Sequence, residues 1–291
     1  MLQTVTTSLL KIGYERSGPS EGRAAFLLHG WPDDIRTWDS ILPELHAAGW
    51  QTIAPYLRGF GPTSFLSPDT MRSGQIAAFA YDLLELADAL GIAQFAVIGH
   101  DWGARTAYTV SCFAPERVTH CVALSVAWGK NEPMKLPDEQ LHMYWYQWFF
   151  GTSLAKERLE SERAAFTWYI WSIWITGLND WQDTFETTVR SFNNPDWVAV
   201  TLHSYQVRWK LDDKDPRYDP IEQQIENDLT IAVPTLVLRG SGDPVAVAKM
   251  YEGKEDLFKN GYQLRVIADS GHFPQREKPG EVSDALIAFL N

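Results

Sequence analysis

The chain has 291 residues, 45% hydrophobic and 21% charged, with a formal net charge of −12. At roughly 150 residues per domain this is an ordinary globular protein, either one large domain or a core carrying an insertion. The acidic balance excludes nucleic acid as a partner, because phosphate binding needs a basic footprint.

The N-terminal stretch MLQTVTTSLLKIGYE has no basic segment followed by a long apolar run, so no signal peptide is expected. No run of about 18 apolar residues occurs, so no membrane span is expected either. Both readings point to the cytoplasm. There Cys112 and Cys121 are expected to stay as buried thiols and not to pair.

Short runs rich in Val, Ile, Leu and Phe, bounded by Gly, Pro or charge, predict buried strands. AAFLLH (24–29) and QTIAP (51–55) come first. A helix follows over IAAFAYDLLELADAL (76–90), stopped at Gly91. Next are a strand at FAVIG (95–99), a helix at ARTAYTVSCFA (104–114) ended by Pro115, and a strand at VTHCVALSV (118–126).

From about 129 to 215 the alternation breaks. LHMYWYQWFFGTSL, FTWYIWSIWITGL and WVAVTLHSYQVRWKL crowd Trp and Tyr into stretches of helical length. We read 129–215 as a helical cap laid over the sheet; the plainer alternative is a continuation of the core with poorly marked strands. LDDKDPRYDP (211–220) reads as a solvated connector, since its carboxylates lack a histidine and the spacing of a calcium loop, so no metal is expected. Strands at TLVLRG (235–240) and LRVIAD (264–269) and a helix at EVSDALIAFL (281–290) complete the chain. Such alternation predicts an α/β fold, a mostly parallel sheet with helices on both faces, with 1–128 and 216–291 as its core. No internal repeat or low-complexity tract is present.

Three sequence pieces carry chemistry. Gly99-His100-Asp101-Trp102-Gly103 joins a strand to a helix, where small residues permit a sharp turn that exposes the central side chain. Leu238-Arg239-Gly240-Ser241-Gly242-Asp243-Pro244 and Ser270-Gly271-His272-Phe273 follow later strands. The order Asp101, Asp243, His272 is nucleophile, acid, base, each at the C-terminal end of a strand, where open α/β sheets hold ligands. Taken singly, Asp101 reads equally as a helix cap, Asp243 as a turn residue and His272 as a core histidine. Their coincidence in this order favours the functional reading. A fourth piece, His29-Gly30-Trp31-Pro32, stands where a second oxyanion donor is needed. The backbone N–H groups of Trp31 and Trp102 are the candidates, and Trp31-Pro32 is a candidate cis bond.

With HGWP (29–32), LRGFGPTS (57–64), GHDWGA (99–104), GSGDP (240–244) and GHFPQ (271–275), the chain resembles the epoxide hydrolase and haloalkane dehalogenase group of α/β-hydrolases. The resemblance implies an aspartate nucleophile. A carboxylate that attacks an acyl carbon gives an unproductive anhydride, whereas attack on a saturated carbon gives an alkyl ester that water can cleave. His272 would activate that water and Asp243 would orient His272. An epoxide oxygen also needs a proton donor. Tyr146, in a Tyr-Gln pair, and Tyr205 match the cap tyrosines that the resemblance implies. His29, Trp148 and Arg105 are assigned to substrate binding.

The reading is an epoxide hydrolase acting on a small, largely apolar epoxide with water, without cofactor, metal, nucleic acid or membrane; a homodimer is compatible with it. Two alternatives stay open. A haloacetate or haloalkane dehalogenase would use the same nucleophile, with Arg105 matching one carboxylate-gripping arginine while Trp102 departs from the other. A non-catalytic ligand-binding member of the fold is the second.

Overall fold

The computed structural model describes residues 1–130 and 132–291. Its strands are β1 (Leu2–Thr6), β2 (Leu10–Ser17), β3 (Arg23–Leu28), β4 (Trp50–Pro55), β5 (Ser64–Phe65), β6 (Phe95–His100), β7 (Val118–Leu124), β8 (Thr235–Gly240) and β9 (Tyr262–Ile267). They form one sheet in the order β1-β2-β4-β3-β6-β7-β8-β9, with β5 against β2. From β4 to β9 every neighbouring pair is parallel. The β1, β2 and β5 pairings are antiparallel.

The six predicted strands are all present, within about two residues at each start. β1, β2, β5 and a short helix, α1 (Leu42–Ala47), go unpredicted. β1 is exposed at four of its five positions, so it lacks the continuous apolar run that marks β6, which is buried throughout.

Successive side chains on a strand point to opposite faces. Phe26, Leu28 and Val97 pack with α2 (Ile76–Ala89) and α3 (Trp102–Phe113). Their neighbours Ala25, Leu27, Ala96 and Ile98 pack with α1 and the last helix, α11 (Pro279–Leu290). Cys112 and Cys121 lie free in the first of these cores. Numbers α4 to α9 belong to the connection between β7 and β8, and α10 (Pro274–Glu277) precedes α11.

That connection holds α4 (Asp138–Met143), α5 (Trp145–Phe150), α6 (Leu154–Trp174), α7 (Trp181–Thr188), α8 (Trp197–Arg208) and α9 (Asp219–Asn227). Aromatic side chains of α5 to α8 pack with Trp31, Phe60 and Phe273, on loops at the C-terminal ends of the parallel strands, and with Trp102, the first residue of α3. Trp31 is the hub: its ring stacks on Tyr146 at 5.4 Å and meets Trp174 and Tyr205 edge-on. Trp171 Nε1 donates to the Pro32 carbonyl at 2.7 Å, a second tie between layer and loop. The helical layer therefore closes over the end of the sheet where Asp101 stands. α9 instead turns Ile221 into the core beside α3. Among the described residues, no helix is long and apolar enough to cross a membrane.

Arg58, fully buried, anchors the loop after β4. Its guanidinium donates to Asp82 at 2.6 and 2.7 Å, to the Ser73 carbonyl and to the Tyr218 hydroxyl. A buried pair is costly to break from one side because the survivor keeps its charge without compensation. Arg58→Met should therefore destabilise the fold by roughly 3–5 kcal/mol, and Arg58→Met with Asp82→Leu should recover most of the loss. Urea unfolding midpoints check both.

Candidate active site

β6 ends at His100 and α3 begins at Trp102, leaving Asp101 alone at the bend. Its backbone has φ 51° and ψ −110°, a left-handed conformation that costs a non-glycine residue on the order of 1–3 kcal/mol. The neighbours of this elbow must be small. A Cβ on Gly99 would stand 2.1 Å from the Gly103 carbonyl oxygen, and one on Gly103 would stand 2.1 Å from that of Leu28. The bend projects the Asp101 carboxylate off the sheet, and its Oδ1 accepts from the Trp31 N–H at 2.9 Å. Trp102 opens α3, so its N–H is one that the helix itself leaves unbonded. The Trp31-Pro32 peptide is cis.

His272 arrives on the loop after β9. Its Nδ1 lies 3.0 and 3.1 Å from the two Asp243 oxygens, and its Nε2 lies 3.7 Å from Asp101 Oδ2. Asp243 Oδ1 also accepts from the Val245 and Ala246 N–H groups, at 2.8 and 3.2 Å. The three candidates of the sequence, from three different strand ends, thus meet around one imidazole.

Burial alone would push His272 down and Asp101 up. For His272 the charge of Asp243 and its contacts with both carboxylates win, raising it to about 10. The same imidazolium, with help from the Trp31 N–H, lowers Asp101 to about 2. The imidazole and the Asp101 carboxylate thus each favour the other's charged form.

Two residues that sequence reasoning missed hold the His272 loop. His100, fully buried, donates from Nε2 to the His272 carbonyl at 2.7 Å; burial lowers it to about 4, so it stays neutral. Glu277 gathers four backbone N–H groups. Gly271 and Phe273 flank His272 at 2.9 and 3.1 Å, and Thr176 and Gly177 follow α6 at 3.0 and 2.6 Å. Nothing in the charged run QREK (275–278) marks one glutamate for burial.

Tyr146 and Tyr205 come from α5 and α8 and, with Asp101, line an open cleft. Their rings meet edge-on at 5.4 Å. Gln147 Nε2 donates to the Tyr146 hydroxyl at 2.7 Å, so the tyrosine's own proton remains free to donate. The Tyr205 hydroxyl is buried and has no partner among the described residues. Burial and the nearby Asp101 charge hold Tyr146 well above the ordinary phenol range, and burial and Tyr146 do the same for Tyr205. Both are fully protonated at neutral pH.

Arg105 also lines this cleft. His29 and Trp148 are not among the residues that line it. His29 is fully buried, with Nε2 accepting from the Leu57 N–H at 3.1 Å and Nδ1 against the Gly30 carbonyl at 3.0 Å. Burial lowers it to about 4, and its two contacts tie the Gly30 loop to Leu57. Trp148 donates its indole N–H to the Leu141 carbonyl at 3.1 Å and packs on Trp209, which lines the cleft.

Glu277→Gln puts an amide NH₂ among amide donors. It should lower stability by roughly 1–3 kcal/mol, the cost of leaving buried donors unsatisfied. Thermal unfolding of the variant beside wild type measures the loss.

A profile of the alpha/beta hydrolase fold family matches residues 26–279. Epoxide hydrolase A of Mycobacterium tuberculosis is 25% identical over 316 residues, covering 98% of this chain and 96% of its own length. Human epoxide hydrolase 4 is 22% identical, over 98% of this chain and 77% of its own. The crystal structure of a "putative epoxide hydrolase" from Klebsiella pneumoniae aligns with a TM-score of 0.91 and 34% identity, over 99% of this chain and 96% of that one. By profile, sequence and fold, the chain belongs to the α/β-hydrolase family, in the group that contains the epoxide hydrolases.

Proposed function

We propose that the protein hydrolyses an epoxide to a vicinal diol in two covalent steps. The observation that carries the reading is the carboxylate at the elbow facing two buried tyrosine hydroxyls free to donate. Asp101 Oδ1 is held by the Trp31 N–H, which leaves Oδ2 to attack a ring carbon. The carbon–oxygen bond of the ring breaks, and the departing oxygen takes a proton from Tyr146 or Tyr205. Without that proton an alkoxide is a poor leaving group, and a positioned donor contributes typically 10²–10⁴-fold. The product of this step is an ester of Asp101.

Esterification removes the Asp101 charge, one of the two that held His272 protonated. The imidazole then falls toward its ordinary range, its proton passes to the tyrosinate left by ring opening, and it becomes the base the second step needs. Water, deprotonated at Nε2, attacks the ester carbonyl carbon. Negative charge develops on Oδ1, facing the N–H groups of Trp31 and Trp102. Collapse of that intermediate passes its hydroxyl proton to the departing diol oxygen, restores the Asp101 carboxylate and leaves His272 protonated by the other proton of the water. Asp243 keeps Nδ1 protonated and the ring oriented throughout.

The halide alternative has less support. The cap tyrosines supply the proton that an epoxide oxygen needs and that a departing halide does not.

His272→Gln should trap the first intermediate. Incubation with styrene oxide should raise the intact mass by one substrate, with the adduct on the Asp101 peptide; steady turnover without an adduct would contradict the scheme. Tyr146→Phe with Tyr205→Phe should slow ring opening by roughly 10²–10⁴-fold with the fold retained. The two half-reactions should also separate by pH. Alkylation needs ionised Asp101, so it should be flat above about pH 5 and fall toward the lowered value of about 2. Ester hydrolysis needs neutral His272, so its rate should rise with pH through the neutral range. Rapid-quench measurement of each step at several pH values tests both.

A further inference from the structure

Two guanidinium groups in the cleft have no carboxylate partner. Arg105 lies four residues after Asp101 on α3, and Arg208 lies three residues after Tyr205 at the end of α8. Residues three or four apart share a helix face, with Cβ atoms roughly 5–6 Å apart. Each arginine therefore stands one turn beyond a group of the proposed chemistry, and both line the same cleft. Among the described residues neither forms a salt bridge. Arg208 rests over the rings of Tyr144 and Trp209, at 5.2 and 4.9 Å, with its Nε buried and unbonded.

The charge balance of the cleft is the reverse of the protein's. Arg105, Arg208, Lys130 and Lys254 line it against Asp101 and Glu132, and Glu132 is already engaged by Lys135. The chain as a whole carries −12. Two part-buried cations in one cleft repel each other at a cost; burial and Arg208 together make the Arg105 charge harder to hold. An anion bound between them removes that cost, and guanidinium suits carboxylate because its fork donates two parallel bonds.

We propose that the substrate is an epoxy acid whose carboxylate is held between Arg105 and Arg208 while its ring faces Asp101 and the tyrosines. This rests on the epoxide reading above. The spacing limits the substrate. A ring carbon about 3–3.5 Å from the Asp101 oxygen, and an anion one helical turn away, leave room for a carboxylate on the ring or a carbon or two from it. The arginines then set specificity, and the aromatic wall takes the rest of the molecule.

The test compares trans-3-phenylglycidate with its neutral amide, 3-phenylglycidamide. Wild type should favour the acid in kcat/KM by roughly 10²-fold, the worth of a pair of charge-assisted bonds. Arg105→Gln and Arg208→Gln should each cut that ratio about tenfold, and the double variant should bring it near unity. Calorimetry with 3-phenylpropanoate, which has no ring to open, reads the anion site alone: binding to wild type, lost in the double variant. Turnover of styrene oxide and the amide with no preference for the acid overturns this inference and leaves the epoxide reading standing. Absence of diol from every epoxide, with 3-phenylpropanoate still bound by the arginines, overturns the epoxide reading and leaves the anion site. A ratio or a binding constant unmoved by both substitutions overturns the arginine assignment.

Discussion

A single imidazole held between two carboxylates, out of contact with water, governs this site. His272 is raised and Asp101 lowered by the same contact, so each depends on the other for its charge. Such an arrangement holds only if none of the three groups can turn away. Asp243 is fixed by two loop amides, the His272 loop by His100 and Glu277, and Asp101 by the strained elbow and the Trp31 N–H. Three parallel strands deliver the three residues because their C-terminal ends lie side by side, where crossing chains leave a crevice. In the proposed mechanism the coupling also orders the steps. The base stays protonated while the nucleophile is charged and is released when that charge is consumed.

The helical layer gives this electrostatic site its surroundings. Trp31 supplies a backbone donor to Asp101 and an indole to the cluster of Tyr146, Trp174, Trp197 and Tyr205. One residue therefore ties the oxyanion loop to the elements that carry the tyrosines. Dense aromatic packing excludes water, and in a low dielectric fixed charges and dipoles act more strongly. Arg105 and Arg208 interrupt this aromatic wall, which is why they bear on the choice of substrate.

Much of this was legible in the chain. β3, β4 and β6 to β8 are largely buried and read as mainly apolar runs, whereas β9 is exposed at four of its six positions; β1, at the antiparallel edge, is exposed and carries no such mark. Asp101, Asp243 and His272 stand out because turn glycines and strand ends frame them locally. His29 and Trp148 look like ligands in sequence, yet their ring nitrogens are taken by backbone groups of distant or neighbouring turns. Glu277 and Arg208 escape notice for the opposite reason. Each sits in an ordinary polar stretch, and only the folded chain shows that one collects backbone donors around His272 and the other stands beside Arg105 in the cleft.

The most direct measurement is a single turnover in ¹⁸O-labelled water with enzyme in excess over styrene oxide. Covalent catalysis through Asp101 predicts that the label enters the Asp101 carboxylate, recovered in the peptide spanning the elbow, while the first diol carries oxygen of ordinary mass. Label in the diol with none in that peptide would mean that water attacks the ring directly, and the account would be wrong at its centre.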